Sequence, residues 1–192
     1  ILTESVLAKH DRLTRFQKLE GRPVPNALAE LVSKNFIPTG TVVVKRKTLL
    51  DAGLFNNAIR FGEDLELWAK IAGKHPITCL PEVQMLRRQH GNNATQYTEP
   101  MLEDLVKVMR SVRSWGEDTL RAQNINANQL VADALSDLGY WHFAAGNYPQ
   151  ARDIFVKSLK QKPGKRAFAY TLACLLPSKI IHLLRNIKQN LS

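Results

Sequence analysis

From Thr98-Glu99-Pro100 onward the apolar residues recur at helical spacing, and this change divides the chain into two regimes. Leu102, Leu105, Val106, Met109 and Val112 fall three and four residues apart with charges opposite, which predicts a helix that must pack on something. Leu130 to Ala145 and Pro149 to about Lys162 predict two more helices around the turn Gly146-Asn147-Tyr148. Upstream, the apolar runs are short and broken by Gly, Asn and Pro. With 192 residues, 44% hydrophobic and 23% charged, the chain can bury a sizeable core, read as one incomplete domain over residues 1–100 and a smaller helical extension over 101–192.

The upstream half carries an adjacent acid pair, Glu63-Asp64, where a turn meets an apolar helix. Leu65, Trp68, Ile71 and Ala72 share one helical face, with Gly62 before it and Gly73 after it. Asp64 falls in the first turn, where the helix dipole favours an ionised carboxylate, the form that accepts a proton. A capping pair would place acids there for the same electrostatic reason. Around this helix stand other predicted elements. Asn35-Phe36-Ile37-Pro38-Thr39-Gly40-Thr41 leads into Val42-Val43-Val44, which predicts a buried strand. Thr48, with Asp51 three residues on, predicts the N-cap of a short helix ending near Gly53. Ile77-Thr78-Cys79-Leu80 and Val83-Gln84-Met85-Leu86 predict two strands about the turn Pro81-Glu82, followed by Arg88-Gln89-His90. Ile1 to Leu7 predicts a strand already in progress.

Taken in order, Ala52-Gly53-Leu54-Phe55, Gly62-Glu63-Asp64-Leu65-Glu66-Leu67-Trp68 and Arg88-Gln89-His90 resemble the second half of the catalytic domain of family-two glycosyltransferases. The match covers residues 1 to about 97, and Leu54 stands where that family often has a second Gly. The resemblance implies an α/β fold, a partial GT-A mixed sheet with flanking helices, followed by an all-α C-terminal helical hairpin region. It implies an inverting sugar transfer from a nucleotide-sugar donor to the hydroxyl of a glycan or lipid-linked acceptor. Asp64 then corresponds to the general base, Glu63 and Trp68 to acceptor-binding residues, and Arg88 and His90 to groups near the donor diphosphate. His90 is also a candidate metal ligand. A core role for Trp68 and a structural role for His90 stand beside these assignments.

The same family holds a divalent Mn or Mg ion on an Asp-x-Asp motif upstream of the matched region, and this sequence contains no Asp-x-Asp and no Gly-rich phosphate loop. The sequence therefore reads as a fragment carrying the acceptor side and the base but lacking most of the donor site. As such it is expected to be inactive and without a cofactor by itself, and to self-associate through surface that the missing half would cover. Asp64 and His90 are expected to border one cleft.

In the helical extension, Leu138-Gly139, Gly146-Asn147-Tyr148, Ala151, Phe155, Ser158 and Pro163 stand at the offsets of a tetratricopeptide repeat near residues 130–163, with Leu135 and His142 replacing its usual Trp and Tyr. Residues 151–192 hold nine Lys or Arg against one Asp, a net +8 of the chain's +10. Pro177 to Leu191 predicts a basic amphipathic terminal helix, suited either to an anionic membrane surface or to packing on the repeat. No nucleic-acid module accompanies these cations. Cys79 and Cys174 show no pairing or metal-ligand spacing and read as buried free thiols. They favour a reducing compartment, so the expected location is cytoplasmic, peripheral at the inner membrane face if the tail binds lipid. A different class of function remains open: a helical-repeat adaptor or membrane-surface docking module whose upstream half is not catalytic.

Overall fold

The computed structural model of the chain describes residues 19, 21–80, 85 and 98–177. Among these residues there are seven α-helices: α1 Ala27–Ser33, α2 Arg46–Asp51, α3 Glu63–Ala72, α4 Glu99–Ala122, α5 Ala127–Ala144, α6 Tyr148–Gln161 and α7 Lys165–Ala173. One 3-10 turn spans Thr39–Thr41. At 24 residues α4 is the spine, about 36 Å long at 1.5 Å per residue, with α3 on one part and α5 on another. Its stripe Leu102, Val106, Met109 and Val112 is buried, as an amphipathic surface of that length requires.

One apolar core runs from Leu28 and Leu31 on α1 through Leu67 and Trp68 on α3 and Leu102 on α4 to Val131 on α5, so it is continuous across residue 100. A smaller cluster joins the last three helices through Phe143, Tyr148, Ala151, Phe155 and Ala167. Within it, Gly139 on α5 faces Phe155 on α6 so closely that a Cβ at 139 would lie 2.9 Å from the ring. Helix α5 begins three residues before the predicted Leu130, because the Asn126 side chain accepts the Gln129 N–H at 2.9 Å and caps it there.

Among the described residues the expected α/β sheet does not form. Among the described residues there is no strand, and the sole extended pairing is an antiparallel bridge between Pro23 and Thr78, beside a 2.7 Å bond from Val24 N–H to the Ile77 carbonyl. Extended backbone becomes a strand only when a neighbour accepts and donates along its edge. Val42 is extended (φ −86°, ψ 130°), yet its run has no such neighbour among the described residues: Val42 and Val44 lean on the helical core and Val43 is 100% exposed. The run Ile77 to Leu80 stops at the single bridge, since Pro23 has no N–H to continue a ladder. The expected strands at residues 1–7 and 83–86 lie outside the described residues, apart from the exposed Met85.

Helix α2 also departs from expectation. It starts at Arg46 after an extended Lys45, which places Thr48 inside the helix rather than at its cap. Beyond it, Gly53 and Leu54 both take left-handed backbone, φ 85° and 62°. For a leucine that conformation costs about 1–2 kcal/mol, and glycine adopts it freely. Leu54→Gly is therefore expected to melt no lower than the parent chain in a thermal scan, although it removes a half-exposed leucine side chain. A clear drop would mean that the side chain, not the backbone, governs this turn.

Candidate functional site

The acid helix starts where two turns and α4 converge. Gly62 opens α3 in left-handed backbone (φ 82°), and a Cβ there would sit 3.4 Å from Val108 on α4. The two residues before it are held by Asp104, also on α4. One carboxylate oxygen of Asp104 accepts the N–H groups of Arg60 (2.9 Å) and Phe61 (3.0 Å), and the other accepts from Lys107 Nζ (2.6 Å). Burial acts to push the Asp104 carboxyl up, but the bonds from Lys107, Phe61 and Arg60 together outweigh it and hold the group below its ordinary value.

Asp104→Asn is accordingly expected to cost about 1–2 kcal/mol at neutral pH, read as a lower urea midpoint. Because the folded-state pKa is depressed, the ionised carboxylate contributes fully above the unfolded value, about 4, and its contribution is lost as pH falls through the folded value. The gap between parent and variant should then close below about pH 4. A gap that is the same at pH 7 and pH 3 would exclude a charge-dependent role.

Asp64 is the second residue of α3 and half-buried. Its Oδ1 accepts the Leu65 N–H at 2.6 Å, satisfying one of the unpaired donors of the first turn. Its Oδ2 accepts the Thr39 hydroxyl at 2.8 Å across 25 residues of sequence. Thr39 reaches it from the 3-10 turn, whose Gly40 lies against Met85 so tightly that a Cβ would be 2.9 Å from the sulfur. Two bonds thus aim a carboxylate that solvent still reaches. Glu63 is adjacent, half-buried, at the first position of the helix.

Trp68, one turn further on, belongs to the core at 4% exposure and offers no open face to a sugar. Phe55 packs edge-on against it, ring centres 6.0 Å apart and planes at 75°, and Phe55 is 44% exposed. Phe55 thus offers this site a solvent-exposed aromatic ring where Trp68 does not. Glu66 is fully buried: Oε1 accepts from Ser111 on α4 at 2.5 Å and pairs with Lys70 at 2.7 Å, tying α3 to α4. Its other oxygen and the Trp68 indole nitrogen have no hydrogen-bond partner among the described residues.

The structure thus gathers Glu63 and Asp64, places Trp68 beneath them, and adds Thr39, Phe55 and Asp104, to which the sequence pattern gave no role. Arg88 and His90, and with them the expected Asp64–His90 cleft, lie outside the described residues. No group of three His, Cys, Asp or Glu side chains among the described residues is close enough to hold a metal ion. Two cavities, about 190 Å³ beside Ser158 and Arg166 and about 360 Å³ beside Arg121 and Asn126, are lined by other residues than Asp64. Cys79 and Cys174 are half-buried free thiols rather than fully buried ones, and burial pushes both up. No helix among the described residues is long and apolar enough to cross a membrane. Comparison with family models, with curated proteins and with solved structures finds no match for this chain.

Proposed function

We propose that the chain carries the acceptor side of an inverting glycosyltransferase, with Asp64 as its general base. The observation that carries this reading is convergence: two of the segments on which the resemblance rests, 52–55 and 62–68, and the turn at 39–41 meet at the start of α3 through the Thr39–Asp64 bond and the Phe55–Trp68 contact. The left-handed Leu54 supports it too, since this is the position where the resemblance implies a glycine.

In the proposed reaction an acceptor hydroxyl attacks the anomeric carbon of a nucleotide sugar. Asp64 takes the hydroxyl proton as the new C–O bond forms, and the nucleoside diphosphate leaves with the electron pair of the bond it held. Thr39 keeps one carboxylate oxygen oriented, while Glu63 and the exposed ring of Phe55 border the acceptor. A divalent ion, which the resemblance implies for the complete enzyme, would neutralise the diphosphate. Its ligands would have to come from beyond the described residues, His90 among them.

The test is nucleoside diphosphate release from a panel of nucleotide sugars, with manganese or magnesium, by the polypeptide extended upstream to include a donor half. Loss of release in Asp64→Asn with nucleotide binding retained supports the base. Equal release in parent and variant, or none with any donor, moves the assignment to the second reading, a helical-repeat module acting through binding alone. The stacked α5, α6 and α7 are the observation that favours that alternative.

A further inference from the structure

The hydroxyl that orients Asp64 has capacity left over. A carboxylate only accepts, so the 2.8 Å bond between Thr39 and Asp64 Oδ2 spends the single proton of the Thr39 hydroxyl. Thr41, in the same 3-10 turn, spends its own on the Pro38 carbonyl, also at 2.8 Å. Both threonines are exposed, and each hydroxyl oxygen can still accept but no longer donate. On the helix side, Asp64 Oδ1 is taken by the Leu65 N–H at 2.6 Å, while Oδ2 keeps a lone pair beside Thr39. The adjoining Glu63 carboxylate is an acceptor as well. The side chains gathered at this corner therefore match a ligand that brings O–H donors.

Spacing narrows the class. Thr39 Oγ1 and Asp64 Oδ2 are 2.8 Å apart. Two gauche hydroxyls on neighbouring carbons of a sugar ring hold their oxygens at close to the same separation. They can thus meet this pair of acceptors together, as a fork of two parallel hydrogen bonds, which fixes orientation as well as adding energy. A lone alcohol fills one acceptor and leaves the other to water.

With Asp64 as the base of a sugar transfer as the premise, we propose that the acceptor is a glycan that presents a vicinal pair of hydroxyls, and that Thr39 selects it. One hydroxyl donates to Asp64 Oδ2. Its oxygen forms the bond to the anomeric carbon, its proton passes to Asp64, and the nucleoside diphosphate leaves with the electron pair of the broken bond. The neighbouring hydroxyl donates to Thr39 Oγ1, keeps its proton and is unchanged by the reaction. Thr39 is a specificity-determining residue in this scheme.

The test is transfer by the complete enzyme to methyl glucoside, methyl galactoside and methyl mannoside, each with its monodeoxy analogues, and to octanol as an acceptor with one hydroxyl. Deleting the hydroxyl next to the one that is glycosylated should lower kcat/KM about tenfold, the effect of one lost hydrogen bond. Deleting a distant hydroxyl should leave it within about twofold. Thr39→Val should transfer to the intact glycoside about as slowly as the parent does to the deoxy analogue, and should no longer distinguish the two. Thr39→Ser, which restores the hydroxyl, should distinguish them as the parent does. A neighbouring hydroxyl that can be removed without loss, discrimination that survives in Thr39→Val, or octanol preferred to every glycoside would each overturn the vicinal-diol assignment. In those cases nucleoside diphosphate release that still depends on Asp64 would leave the base in place, so the two claims fail separately. No transfer to any of these acceptors would overturn both.

Discussion

Phe155→Ala is expected to remove about 3–5 kcal/mol of stability, enough to leave a domain of ordinary stability largely unfolded on modest heating or in low urea. The ring is fully buried, lies against Gly139 and stacks on Tyr170 at 13° between planes, so its deletion opens a cavity between three helices that cannot all close in on it. The same contact yields a test whose sign runs against local preference. Alanine is the better helix former by about 0.5–1 kcal/mol, yet Gly139→Ala should lower the urea midpoint. Its Cβ would meet three ring atoms of Phe155 at 2.9–3.1 Å. If the clash is the cause, Gly139→Ala combined with Phe155→Leu should lose less than the sum of the two single changes. An additive double variant, or a stabilised Gly139→Ala, would remove the Gly139–Phe155 contact as the feature that sets the spacing of α5 and α6.

Asp64→Asn is expected to lower sugar transfer by the complete enzyme about 100- to 10,000-fold, the range that a positioned general base supplies. Asparagine keeps the size of the side chain, its amide oxygen can still accept the Leu65 N–H and its NH2 can donate to the Thr39 hydroxyl oxygen, so the loss would report the missing proton acceptor rather than a collapsed turn. Binding of the nucleotide should be unchanged, since the reading puts the donor phosphates elsewhere. Thr39→Val should act in the same direction but more weakly, about tenfold or less, because it deletes one orienting hydrogen bond and no charge. A Thr39→Val enzyme as impaired as Asp64→Asn would transfer the central role from the carboxylate to the hydroxyl.

The helical half of this protein was legible because its information is local. The three- and four-residue spacing of Leu102, Val106, Met109 and Val112 specifies a buried face whatever lies against it, and Gly139 with Phe155 marks where two helices approach. The position of Asp64 in the first turn of α3 follows likewise from Gly62 and the apolar residues after it. The strands expected at Val42-Val43-Val44 and Ile77 to Leu80 do not form, for the opposite reason. Val42-Val43-Val44 has a local preference for extended backbone, but a strand also depends on a partner's hydrogen bonds, which no local pattern specifies.

By itself, then, the sequence determined helices α3 to α6, the apolar faces of α3 and α4 and the acid at the start of α3, because side-chain spacing along one segment settles those matters. Only the tertiary structure decided which distant groups meet. Thr39 on Asp64, Asp104 beneath the 60–61 backbone, Ser111 on Glu66 and Phe55 against Trp68 all join residues at least 13 positions apart. Such pairs depend on how α3 and α4 pack, and packing is a property of the assembled core rather than of any stretch of chain.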